Sequence, residues 1–376
     1  MEYIIIFCLS ILFTHIARKK QNESSRFMFF FLSAVAVVLP AFLAGARDVY
    51  LVGTDSSNYY DAFVRAVMAK NLKEYLNYDT DIEMGFRLFT FYVSRVTSMP
   101  FFYLFFFHLL ILVPIYVALW KWSPFSNSVE GQMIFLFMFF NMTLNTTRQG
   151  VGMAFILLGV TFLIKDKPWK FWLCLLFAFF FHRTSVLALI HYFAYQLVRK
   201  KKVSGNLFFY MSFISLITGL IYVLFSYTNV ASILMDQREV YASYIESEKG
   251  GSISKSSLFF YLFVLFVNVR SSLKNCVVVT DYLLLMSVMS LIFIFGAMIN
   301  QTFARLVLYF TIFETISVSL VCNSNNVTLG YLNYVNSNKI KWVILAFVVI
   351  MWVFSVVFHN SNETYPYVFD LTMNML

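Results

Sequence analysis

Apolar residues run through this chain in continuous blocks, and polar residues are confined to the gaps between them. Twelve blocks stand out, at about 3–17, 27–45, 101–120, 132–146, 149–164, 169–181, 184–198, 207–226, 257–269, 281–299, 303–321 and 341–358. A helix crossing a bilayer needs about 20 apolar residues, fewer when it is enclosed in a bundle. No block shows the strict alternation of a membrane β-barrel strand, and none carries the sparse apolar seam of a coiled coil. The pattern therefore predicts an all-α polytopic membrane protein with about twelve transmembrane helices, forming one integral membrane domain over residues 1–376.

Two gaps are too long to be turns. The first, about 46–100, contains the moderately apolar stretch Met84 to Val96, interrupted by Arg87 and Arg95. Counting that stretch as a span would invert every later loop, so it is expected to be an interfacial or re-entrant helix near 84–98, ended at Pro100. The second, about 227–256, holds Asp236-Gln237-Arg238-Glu239 and Glu248-Lys249-Gly250-Gly251 and reads as a polar outer loop.

Composition agrees with the pattern. The chain is 60% hydrophobic, 20% aromatic and 12% charged, where a soluble domain carries about 25% charged residues. A soluble fold, a disordered chain and a collagen-like fibre are excluded. The net charge of +9 would suggest nucleic acid in a soluble protein; here the bases punctuate the apolar blocks. If Arg18-Lys19-Lys20 is cytoplasmic, alternation puts Lys121, Lys165/Lys167/Lys170, the Arg199–Lys202 run, Arg270/Lys274 and Lys339/Lys341 on that side too. This is the positive-inside arrangement. The excess of bases is mostly an orientation signal, and no nucleic acid is expected as a partner. Met1 to Tyr3 supply no basic region and no A-x-A site follows, so the first span is expected to be retained. The four cysteines have no CxxC spacing, and no His/Cys/Asp cluster has ligand spacing, so neither a disulfide framework nor a metal is implied. There is no Walker loop or GxGxxG, and no cofactor is expected.

The informative charges are those at the outer ends of the blocks. A charge at the hydrocarbon edge costs several kcal/mol unless it is paired or wet, which makes such residues functional candidates. Arg47 and Asp48, Asp55, Glu83, Arg148, His182-Arg183 and Arg305 all fall on the outer side, while Glu314 is left inside a span. The connections around Arg148 and around His182-Arg183 are so short that these groups stay close to the bundle. Each Arg can snorkel to phospholipid headgroups; several together point to an anion. A planar, permanently protonated guanidinium suits a diphosphate, which makes Arg47, Arg148, Arg183 and Arg305 the candidate ligands. Asn58 and Tyr59, in the run Asn58-Tyr59-Tyr60-Asp61 after Asp55, are of the kind that lines sugar sites. Glu83 opens the amphipathic stretch, where a helix dipole alone would favour a carboxylate. His182 is the one His in a tight outer turn and a candidate general base.

Taken in order, Arg47…Gly53-Thr54-Asp55…Tyr59, Glu83-Met84-Gly85-Phe86, Arg148-Gln149-Gly150…Ala154, Phe181-His182-Arg183-Thr184-Ser185, Arg305…Tyr309-Phe310 and Tyr365-Pro366-Tyr367 resemble the EpsG-like group of bacterial polysaccharide polymerases, which includes Wzy-type O-antigen polymerases. The resemblance implies a bacterial inner-membrane glycosyltransferase with a fold similar to the C-type glycosyltransferases. It would join undecaprenyl-diphosphate-linked oligosaccharides at the periplasmic face without metal or cofactor, with membrane lipid around it and a chain-length regulator protein as a further partner. The arginines would stabilise the diphosphate leaving group. A carboxylate or histidine would deprotonate the acceptor hydroxyl, in the order Asp55, then His182, then Glu83. A single inverting displacement is the simplest course. The other class to weigh is a flippase or transporter of the same lipid-linked sugar, which would need polar groups through the membrane and often two related halves; no internal repeat is visible.

Overall fold

The computed structural model describes residues 1–22, 25–78, 82–123, 126–201, 261–265, 268, 278–297, 305–323 and 337–370. Among these residues the regular structure is helical, with one isolated antiparallel bridge between Arg47 and Phe369. The expected span 207–226 and outer loop 227–256 lie outside the described residues, and so does most of 257–269. Two compact units divide the chain: Met1–Ala188 with Val318–Leu376, and Leu189–Ser317.

The first unit opens with α1 (Glu2–Asn22) and α2 (Arg26–Gly45). It continues through α3 (Ser56–Met68), α4 (Leu72–Leu76) and α5 (Met84–Val96) to the long α6 (Pro100–Lys121). Then come α7 (Ser128–Met138), α8 (Phe140–Asn145), α9 (Thr147–Ile164) and α10 (Pro168–Phe181), which runs into a 3-10 turn at Arg183–Ala188. Prolines at the first position of α6 and α10 start those helices where a missing N–H costs nothing. Neighbouring helices pack in the order α1 on α2, α2 on α6, α6 on α9 and α9 on α10. Among the described residues, five helices are long and apolar enough to cross a membrane: α2, α6, α9, Val278–Ala297 and Lys341–Phe358. At 1.5 Å per residue, 20 residues span the roughly 30 Å hydrocarbon core. Shorter apolar helices at Ser128–Met138, Pro168–Phe181 and Leu308–Leu320 accompany them. Phe27, Phe30, Trp169 and Leu173 are exposed, a lateral apolar surface that lipid would cover.

Three expectations change in detail. Block 132–146 is not one helix, because it breaks at Phe139 between α7 and α8. The polar face of α8 explains the break: Asn141 donates to Thr364 Oγ1 at 2.9 Å and accepts from the Trp352 indole at 2.8 Å. The segment 46–100 holds three helices where one was expected near 84–98. Block 184–198 begins as a 3-10 turn before its helix.

The C-terminal segment is stitched to the end of this unit that carries Arg47 and Gly53. The Lys341–Phe358 span belongs to a helix starting at Ser337 and ending in a π-helical turn at Val353–Phe358. Beyond it, the backbone N–H of Asp48 donates to Val368 and that of Gly53 to Glu363, while the Tyr3 and Tyr367 hydroxyls donate to the carbonyls of Thr364 and Leu43. Gly53, at φ +94°, needs glycine both for this turn and because a Cβ would meet Asn145 Oδ1 at 2.2 Å. The opposite end collects bases: Lys121 and Lys170 both lie over the Phe162 ring, at 5.5 and 5.2 Å.

In the second unit, α11 (Leu189–Lys201) packs on α12 (Val278–Ala297), which packs on α13 (Leu308–Thr311). His191, buried, meets the Tyr282 hydroxyl at 2.7 Å between the rings of Phe310 and Phe313. Glu314 opens α14 (Glu314–Asn323) and is buried. Arg305 is exposed.

Candidate active site

Three helix ends meet in the first unit. Glu83 is the residue before α5, Arg148 the second residue of α9, and His182 the residue after α10. Arg148 is at the wrong end of its helix for the macrodipole, which favours an anion there. Glu83 supplies that anion. Its side chain makes no capping bond to its own helix; one carboxylate oxygen, Oε2, is instead paired with Arg148 Nη1. The other, Oε1, faces His182 Nδ1 at 3.1 Å and accepts from the Arg183 backbone N–H at 3.3 Å.

A glycine allows the meeting. A Cβ on Gly85 would sit 2.6 Å from the carbonyl oxygen of Phe180, so α5 presses backbone to backbone against the end of α10, two residues from His182. Phe86 then places its ring under Arg148, 5.6 Å from the guanidinium carbon, and packs on Tyr59 and Phe107 at 5.8 and 5.6 Å. That contact adds a cation–π attraction to the ion pair.

The chemistry follows from these partners. Burial pushes the Glu83 carboxyl up, but the His182 hydrogen bond and the Arg148 charge outweigh it and hold the group well below the usual carboxylate range. Glu83 thus stays anionic and makes a poor proton acceptor. A carboxylate can only accept, so His182 must carry its neutral-state proton on Nδ1, which leaves the lone pair on Nε2. An oriented histidine beside a carboxylate is the usual layout of a general base. Side-chain exposure is 24% for Arg148, 18% for His182 and 10% for Glu83, so the two groups that would meet substrate are the more open.

The other expected residues are placed as follows. Arg183 contributes its backbone N–H to Glu83, and its side chain is exposed alongside. Arg47 is 1% exposed and bonds inward, donating to Ala44 O at 2.6 Å, Ser56 Oγ at 3.1 Å and Leu144 O at 3.2 Å. Its role in this geometry is to hold the α8 end that leads into Arg148. Asp55 precedes α3 without a capping bond and is half-buried. Asn58 is exposed, whereas Tyr59 is buried behind Phe86. Arg305 belongs to the second unit. Phe86 is the participant that sequence reasoning did not assign a role, although it stands in the Glu83-Met84-Gly85-Phe86 quartet. Among the described residues no three His, Cys, Asp or Glu side chains converge as metal ligands would.

Helices long enough to span a bilayer, with a polar cluster where the ends of α5, α9 and α10 meet, define a membrane-embedded protein with a candidate site. The EpsG family model matches residues 30–369, and the chain belongs to that family. No curated protein and no solved structure matches the chain. Family membership points to a membrane polymerase of the glycosyltransferase type, working in polysaccharide synthesis on lipid-linked substrates.

Proposed function

We propose that this protein polymerises undecaprenyl-diphosphate-linked oligosaccharide repeat units into O-antigen or a related surface polysaccharide, at the periplasmic face of a bacterial inner membrane. The observation that carries this reading is the Glu83–His182–Arg148 cluster. In the proposed reaction His182 Nε2 takes the proton of an acceptor sugar hydroxyl. The freed oxygen attacks the anomeric carbon of the growing chain, and the bond from that carbon to the diphosphate oxygen breaks in the same displacement, with inversion. The diphosphate leaves with its negative charge facing Arg148 and the exposed Arg183. Glu83 acts through its neighbours, fixing the imidazole tautomer and aiming Arg148. Asn58, exposed at the start of α3, is the member of its polar-aromatic run open to a sugar.

The test is elongation by the purified protein in detergent, given a lipid-diphosphate-linked oligosaccharide and resolved on a gel. The wild-type chain should yield a ladder, and His182→Ala should lower its rate by about 10²–10⁴-fold at equal amounts of folded protein. A wild-type protein that forms no bond in detergent but moves the lipid across vesicles would replace this reading with a transporter. A ladder unchanged by His182→Ala would remove the base assignment.

A further inference from the structure

At the end of the first unit opposite the candidate site, α1, α7 and the Lys341–Phe358 helix enclose a cavity of about 450 Å³. Its wall carries Arg18, Lys19 and Lys341, with His15 beside them and Glu130 behind. Lys341 is ion-paired to Glu130 Oε1, so the wall keeps the net positive charge of Arg18 and Lys19. Among the described residues, two buried atoms there have no hydrogen-bond partner: Arg18 Nη1 and Glu130 Oε2. Leaving a charged donor and a charged acceptor buried and unmet is costly, and each such group calls for an explanation.

A second cavity, about 490 Å³, continues from the first, and Ile11, His15, Val129 and Met133 line both. Its remaining wall is apolar, running up α1 through Leu12 and Cys8 to Ile4, against Phe137 and Val349. From His15 to Ile4 the helix rises roughly 16 Å, about half of the ~30 Å hydrocarbon core and so the depth of one leaflet. Leu12 and Ile4 are also half-exposed on the lateral surface, at 50% and 40%, where lipid has access.

We propose that this paired cavity is a binding site for an anionic glycerophospholipid, its phosphodiester against Arg18 and Lys19 and one acyl chain in the groove along α1. The phosphodiester meets the unpartnered Arg18 Nη1. A hydroxyl-bearing headgroup, as in phosphatidylglycerol, offers Glu130 Oε2 the donor it lacks. A zwitterionic headgroup brings no net charge to a net positive wall. The bases here belong to the connections that the charge rule places in the cytoplasm, so the lipid would come from the inner leaflet. The site is separate from the Glu83 cluster and does not depend on the reaction proposed there.

Native mass spectrometry of the full chain in detergent tests the proposal, with phosphatidylglycerol and phosphatidylethanolamine of identical chains as probes. The wild-type protein should retain one phosphatidylglycerol about tenfold more tightly than phosphatidylethanolamine. The double variant Arg18→Gln/Lys19→Gln should erase that preference, on the scale of about fivefold for each charge. Met133→Trp, which fills the groove, should weaken long-chain phosphatidylglycerol while leaving a dihexanoyl analogue unaffected, and it keeps the proposal testable if the charge variant does not fold. Equal retention of the two lipids, or binding indifferent to both variants, overturns the site. Displacement by inorganic phosphate at millimolar concentration, or stronger retention of undecaprenyl phosphate, overturns the occupant.

Discussion

Arg47 and Arg148 are linked through one stretch of chain: Arg47 donates to the carbonyl of Leu144, and Arg148 follows four residues later in the next helix. Arg47 satisfies three neutral oxygens and is sealed from solvent. Arg148 meets one carboxylate and an aromatic face and keeps about a quarter of its side chain open. The lesson is that an arginine at the end of an apolar block can serve as a structural clamp or as an anion ligand, and the partner type decides which. Neutral oxygens use the guanidinium as a multiple donor, whereas a fixed carboxylate aims it.

The largest expected effects separate the two. Arg148→Ala should lower elongation by about 10²–10³-fold, the scale of losing one preorganised donor to a developing oxyanion, with a melting temperature in detergent within a few degrees of wild type. Arg47→Ala should act on the fold: each buried oxygen left without a donor costs about 1–3 kcal/mol, so the yield of folded protein should drop and the melting temperature should fall sharply. An Arg47→Ala protein as stable as wild type but inactive would reverse the assignment and make Arg47 a ligand.

That distinction was not legible in the sequence, and the reason is physical. Both arginines are charges flanking apolar helices, and the hydrophobic pattern locates helix ends without saying which ends meet. The partners that decide their roles are Leu144 for Arg47 and Glu83 for Arg148, contacts distant in sequence that bring the end of α2 to α8 and the start of α5 to α9. What could be read was coarser: the helical membrane class, and a set of charges at the ends of apolar blocks that included Glu83, Arg148 and His182. Lys341 reads only as a topology marker, because a charge in a connecting segment carries no sign of the cavity behind it. The same holds for the break at Phe139, since the apolar run through it masks the polar grip on Asn141.

Glu83→Gln sharpens the comparison, because it keeps the shape while removing the charge that aims Arg148 and fixes the His182 tautomer. Elongation should fall by about 100-fold, less than the full loss known for a wrong tautomer in a triad. Its stability should also titrate differently. The carboxyl of Glu83 is held below its unfolded value of about 4.3, so its contribution is complete above that pH and is lost as pH falls through the lower folded value. Melting curves taken downward from pH 5 should therefore show a steeper decline for wild type than for Glu83→Gln. Parallel curves would mean that the ion pair contributes nothing to folding.

A smaller effect is expected at Gly85. Adding a methyl group there drives it into the Phe180 backbone, and overpacking of this kind costs about 1–3 kcal/mol. Gly85→Ala should widen the gap between α5 and the end of α10, shifting Glu83 from His182. Elongation should drop by roughly tenfold, with a modest loss of melting temperature. Full activity in this variant would show that the close approach of the two helices is incidental to the site.

The smallest effect is expected at Asp55, which on charge and turn context alone ranked ahead of His182 as the base. Asp55 is half-buried before α3 and makes no capping bond. Among the described residues no carboxylate or cation aims it as Glu83 aims His182. A general base needs a fixed geometry before a suitable proton affinity matters. Asp55→Asn should accordingly leave the elongation rate within about twofold of wild type, because a near-isosteric change away from the cluster moves the energetics by only a few tenths of a kcal/mol. The pH profile of elongation provides the second readout. With His182 as the base the acid limb should be unchanged in Asp55→Asn and absent in His182→Ala. A loss of 10²-fold or more in Asp55→Asn, with the limb removed, would transfer the proton to the carboxylate and leave His182 as a positioning residue beside Glu83.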